Sequence, residues 1–155
     1  LVNLFAPPFV VRKAIATDAS SLQLLEQESR EEVQQFRGHQ ALLGESPNDS
    51  DGWLQIVASI EHSVLVAEVA QQVVAYICAE FNRASLVCSV TQIFVDPQAR
   101  QLGIGARLVG ETATIARDYG CIRLDAYALP GDRKMKNLFE RVGMPARLIV
   151  ASRTL

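Results

Sequence analysis

Cysteine is scarce in this 155-residue chain: the three present, Cys78, Cys88 and Cys121, fit no zinc-binding spacing, and an odd number argues against a disulfide framework. All three lie in apolar strand-like runs, so they read as buried free thiols, which points to a reducing cytoplasm. A basic excess is also missing. Lys and Arg number 15 against 17 Asp and Glu, and a net charge of −2 gives no reason to expect a nucleic-acid partner. No membrane span is expected either. The apolar opening, "LVNLFAPPFVV", is broken by two prolines and has no basic residue before it, so neither a signal peptide nor an anchor is expected there. Histidine, the commonest general base, occurs only at His39 and His62, both expected at the surface.

What is present is a folding composition, 49% hydrophobic and 21% charged, of a length that fits one domain over residues 1–155. Residues 9–14 read as a strand, and Thr17 and Asp18 offer N-caps to a helix carrying Leu22, Leu24 and Leu25. The polar stretch 27–52 is expected to hold one or two short helices and a loop, and residues 53–60 a further helical turn or two capped by Asp51. The β-branched runs 63–69, 72–81 and 85–95, joined by short links, predict an antiparallel meander. From Gly103 the apolar period becomes helical and stops at Gly120; 121–129 reads as a strand. Asp132 then caps a helix whose apolar face carries Met135, Leu138, Phe139 and Val142, and 146–155 is expected to close the chain as a last strand. The order predicts an α/β fold. Its mixed, mostly antiparallel sheet has helices on both faces, and its one parallel pair is joined through the 103–119 helix.

The junction "VDPQARQLGIGARLV" at 95–109 carries the chemistry. A helix N-terminus leaves unpaired N–H donors and a partial positive charge, which suits a phosphate. Gly103 and Gly105 remove side chains that would hold an anion away from the backbone, and Arg100 adds a fixed charge. A P-loop is excluded, because no Gly-Lys-Ser/Thr is present, and so is the dinucleotide fingerprint, because Leu108 stands where its third glycine belongs.

Arg100-Gln101-Leu102-Gly103-Ile104-Gly105 resembles the acetyl-CoA motif of the GNAT superfamily of N-acetyltransferases. The preceding "IFVDPQA", the start Arg12-x-Ala14 with Asp18 following, like the usual first strand and helix cap, and the late "LFERVGM" at 138–144 resemble that family. The resemblance implies a central splay in the sheet, between 85–95 and 121–129. It also implies acetyl-CoA as cosubstrate, with the pyrophosphate on the N–H groups of Gln101, Leu102, Gly103, Ile104, Gly105 and Ala106 and Arg100 in support. The pantetheine arm would lie along Ile93, Phe94 and Val95. Lys136, with Arg133 and Lys134, forms a basic cluster suited to the 3′-phosphate. The implied reaction is transfer of acetyl to a primary amine by direct attack; the alternative is a non-catalytic acyl-CoA sensor or interaction module on the same fold.

Two positions depart from the family pattern. Asp132 stands where a helix-capping Asn is usual and cannot donate an amide N–H to pantetheine, and Phe139 replaces a Tyr thought to protonate the departing thiolate. Phe139 therefore reads as core. Glu80 is the candidate base and Tyr127 the candidate acid, with Gln92 and Asp125 behind them; Cys88 is the candidate for a covalent acyl carrier. The acidic run Glu26, Glu28, Glu31 and Glu32 reads as a solvated helix face, with attraction of a cationic acceptor as the alternative. The expected partners are acetyl-CoA and an amine whose identity the sequence does not give, with no nucleic acid, membrane or metal; a homodimer is left open.

Overall fold

A computed structural model describes residues 7–43, 47 and 49–155. The first six residues of the apolar opening lie outside that range. The described elements are β1 (Val10–Lys13), α1 (Ala19–Val33), α2 (His39–Leu43), α3 (Ser50–Ala58), β2 (His62–Val69), β3 (Gln72–Asn82), β4 (Val87–Val95), α4 (Ile104–Asp118), β5 (Arg123–Ala126) and α5 (Arg133–Arg141). They form one five-stranded sheet in chain order, antiparallel from β1 to β4 and parallel between β4 and β5.

Alternation along the central strands divides the core in two. Leu65, Ala67, Ala75, Ile77 and Ala79 face α4, where Ile104, Leu108, Val109 and Ala116 cover them. Val64, Val66, Tyr76, Cys78 and Phe94 face the other way, under Leu22 and Leu25 of α1 and Trp53 of α3. Helices thus cover both faces, as the sequence predicts. The β2–β3 hairpin turns on Ala70 and Gln71, both at positive φ (47° and 65°), a two-residue turn made without glycine.

The first helix is tied to the sheet by an ion triad. Arg12 on β1 gives both Nη atoms to the Asp18 carboxylate (2.7 and 2.9 Å), while its Nε reaches Glu68 on β2 at 2.9 Å. The Ile15 N–H also donates to Asp18, at 2.8 Å. Asp18 is buried, and the Arg12 hydrogen bonds hold its carboxyl below the usual carboxylate range despite that burial.

Two expectations need correction. The cap of α3 is Asp49, which accepts the Gly52 N–H at 2.8 Å, and not Asp51, which lies inside the first turn. The expected last strand does not form: residues 144–155 have no regular structure, and Leu148, Ile149 and Val150 are 81%, 90% and 79% exposed. A β-prone run becomes a strand only when it is paired, and here β5 is an edge of four residues. No helix among the described residues is long and apolar enough to cross a membrane.

Candidate active site

The site begins as a flaw in the sheet. Opposite β3, Ala79 pairs with Val90 and Cys78 with Gln92, so Thr91 is an extra residue in β4, a β-bulge. Its hydroxyl donates to the Cys78 carbonyl at 3.2 Å. On its other side β4 pairs with β5 only from Val87↔Arg123 to Val90↔Ala126. Past the bulge, β4 runs on to Val95 without that neighbour while the chain after Ala126 leaves the sheet. The two strands part, and the gap is a cleft. Thr91, Gln92 and Ile93 form one lip and Tyr127 and Leu129 the other; Glu26, Ser29, Arg30 and Val33 close it from the α1 side, and Met135 and Phe139 from the α5 side.

The turn that leads from the end of β4 into α4 is a backbone device. Gln101 and Gly103 adopt positive φ (69° and 85°), so the chain coils tightly before α4. The Arg107 N–H is bonded to the Gly103 carbonyl at 3.1 Å; those of Ile104, Gly105 and Ala106 precede the first helical acceptor. Gln101, Leu102 and Gly103 are exposed, and nothing lies within 4 Å of where a Cβ on Gly103 would stand. Ile104 gives its side chain to the core, so only its N–H is available. This open, donor-rich turn fits a diphosphate. Gly105 serves a second purpose: a Cβ there would stand 3.1 Å from the Leu138 side chain, so its absence lets α5 approach α4.

Arg100 does not face this turn. Its Nε donates to the Val95 carbonyl at 2.9 Å, its Nη atoms clamp Glu32 of α1, and its guanidinium carbon lies 5.6 Å from the centre of the Phe94 ring. It is a strut between α1 and the end of β4. Of the other expected contacts, Ile93 is buried on the α4 face and reaches the cleft, while Phe94 packs on the α1 face. Asp132 caps α5, accepting the Met135 N–H at 3.0 Å. Phe139 is buried in the core and also forms part of the cleft wall. Lys136 is exposed and pairs with Glu140 at 3.3 Å.

The structure does not bring Glu80 into the cleft. It is exposed, and it sits level with Ser89, which pairs with Asp125, where β4 and β5 are still joined. Strand alternation does put it on the α1 face, but at the closed end of the gap. Tyr127 does reach the lip, 55% exposed. Cys88 is buried away from solvent and burial pushes its thiol up to about 12; Cys78 is likewise pushed up to about 11, so neither is poised as a nucleophile.

Sequence reasoning missed the polar floor of the α1 side. Glu26 is 3% exposed; Trp53 Nε1 donates to one carboxylate oxygen at 2.8 Å and Arg30 gives Nε and Nη2 to the other at 3.2 and 3.1 Å. Burial raises its pKa against the pull of those bonds. Beside it, the Tyr76 hydroxyl donates to Gln92 Oε1 at 2.7 Å, and burial raises the Tyr76 pKa well above its usual value, which keeps that donor protonated. A signal was available. Leu22, Leu25 and Glu26 share one helical face at spacings of three and four, so Glu26 falls on the apolar stripe and not on the solvated one.

Residues 22–144 match the acetyltransferase (GNAT) family. No curated protein sequence matches the chain. Among solved structures, a variant of the BH1408 protein from Bacillus halodurans superposes with a TM-score of 0.80 at 14% identity, covering 94% of this chain and 99% of its own. AAC(6')-Iy in complex with a bisubstrate analogue, CoA-S-monomethyl-acetylneamine, gives 0.70 at 17%, with coverages of 95% and 99%. A ribosomal-protein-alanine N-acetyltransferase from Brucella melitensis gives 0.68 at 16%, with 95% and 97%. These likenesses establish the fold. With most of the chain matched to the family, the protein is a member of the GNAT family of acetyltransferases, enzymes whose cosubstrate is acetyl-CoA.

Proposed function

We propose that this enzyme transfers an acetyl group from acetyl-CoA to a primary amine by direct attack. The observation that carries the reading is the cleft at the Thr91 bulge, which is lined by α1 on one side and by α5 on the other. Two reactants entering from opposite sides would meet there, at the gap between β4 and β5. Holding them together supplies much of the catalysis in such a transfer. AAC(6')-Iy, of the same fold, has been captured with a single analogue that joins CoA to an acetylated amine, which supports this arrangement.

The chain's own groups then divide the work. The N–H donors of residues 101–106 hold the diphosphate, and the unpaired edge of β4 around Ile93 and Phe94 receives the arm. When bound, acetyl-CoA would supply a thioester whose carbon accepts the amine and whose sulfur leaves as a thiolate, the proton lost from nitrogen passing to water. With a pKa like that of a free thiol, roughly 8.5, such a leaving group gains from an acid without depending on one. Phe139 has no proton to give. Tyr127, exposed at the lip beside the hydroxyls of Ser29 and Thr91 in the same lining, is the candidate donor. Direct attack, without an acyl-enzyme, is supported by the burial and raised pKa of Cys78 and Cys88. The test is calorimetry with acetyl-CoA followed by CoA release against a panel of amines. Binding with amine-dependent release is expected; binding without release from any amine would leave an acyl-CoA sensor in its place.

A further inference from the structure

We infer that the acceptor is a single amine carried on an apolar body, not a polycation. This rests on the amine-acetylation reading above and narrows it. Beside the polar floor of Glu26, Ser29 and Arg30, the described lining of the α1 side includes Val33, Leu42 and Leu43, with Leu129 on the opposite lip. Among the described lining residues two are carboxylates, and both are engaged. Glu26 is neutralised by Arg30 and held by Trp53, and Asp132 caps α5. A polyamine or an aminoglycoside would bring several ammonium groups, and those not reacting would be desolvated against leucine without a counter-charge. An amine with an aliphatic or aromatic body would instead bury that body on the same wall.

The same wall takes over part of a base's task. An apolar surrounding disfavours the charged ammonium and lowers its pKa, which delivers the neutral, nucleophilic form without a dedicated side-chain base. That accounts for a cleft whose described lining holds no histidine and whose described carboxylates are already bonded.

The experiment compares kcat/KM of the wild-type protein for hexylamine and phenylethylamine with that for spermidine and kanamycin, following CoA release. The apolar monoamines are expected to be favoured by roughly 10-fold or more, the scale set by a few methylenes in an apolar pocket. In Leu42→Glu, which adds a carboxylate to the wall, the preference should move at least 10-fold toward spermidine, with acetyl-CoA affinity by calorimetry unchanged. A wild-type preference for spermidine or kanamycin, or a Leu42→Glu protein that binds acetyl-CoA with the wild-type preference intact, overturns the inference while leaving amine acetylation standing. Acetyl-CoA binding with no amine turned over overturns both.

Discussion

Two polar regions of the molecule differ in kind: the main-chain N–H donors of a single turn, residues 101–106, and the side chains of Glu26, Arg30, Trp53, Tyr76 and Gln92, drawn from α1, α3, β3 and β4. The first kind of site needs only a local backbone path, set by a left-handed Gly103 and a helix that starts without a side-chain cap. The second needs four elements to be assembled before any of its bonds exists. Electrostatics differ as well. The turn offers partial positive charge to solvent, whereas the Glu26 carboxylate is buried beside its own cation. The turn is thus a property of a segment, and the side-chain cluster a property of the fold.

The largest effect should come from striking the turn. Leu102 is exposed there and its φ is not positive, so Leu102→Asp adds a repelling charge without backbone strain. A unit charge within about 4 Å of a phosphate costs on the order of 4 kcal/mol near a protein surface, so acetyl-CoA affinity by calorimetry should fall at least 10²-fold with the melting temperature retained. Wild-type affinity would remove the turn from the site.

Next is the foundation of the acceptor side. Asp18→Asn breaks the clamp that fixes the start of α1, and should cost about 1.5–3 kcal/mol in urea unfolding near neutral pH, the range for a hydrogen bond to a charged group. The folded-state pKa of Asp18 is depressed, so its contribution is present above the unfolded value of about 3.9 and is lost as the pH falls through the folded value. The gap between wild type and variant should therefore close below about pH 4. A gap that persists there would mean that shape, and not charge, holds the helix. Glu26 has the opposite sign. Its raised pKa lets the folded state keep the proton more tightly, so ionising it erodes stability as the pH rises.

A smaller effect tests the strut between the two sides. Arg100→Gln should cost about 1 kcal/mol in stability, the upper end for a partly exposed ion pair, and should change acetyl-CoA affinity by no more than a few-fold. A 10²-fold loss of affinity would put the guanidinium on the phosphates after all. The smallest effect is expected at Glu80. Its carboxylate is exposed at the closed end of the gap, so Glu80→Gln should leave kcat/KM within about twofold across pH 6–9, where loss of a general base costs 10² or more.

These differences also explain what could be read in advance. The hairpin, the meander, the crossover through α4 and the Asp132 cap follow from local period and turn chemistry, and each is present. The glycine turn is equally local. Arg100 and Glu80 show where such reading ends: the side chain of the first is claimed by Glu32, 68 residues away in sequence, and the position of the second depends on how far β5 accompanies β4. The 146–155 run has strand-like residues and no strand, because pairing is not encoded in the run itself. Glu26 was hidden differently, inside a row of acidic neighbours whose common appearance masks one member on the apolar stripe.

Trp53 is the protein's one tryptophan, wholly buried, with its ring edge-on to Tyr76 at 5.3 Å between centroids and its N–H on the Glu26 carboxylate. All of the indole fluorescence therefore originates at the floor of the α1 side, next to a charge whose field bears directly on the excited state. A ligand that shifts Glu26 or Arg30 changes the emission of that single fluorophore, while events at the 101–106 turn that leave those side chains in place do not. The molecule carries its own optical probe for one half of its cleft, already installed and needing no label.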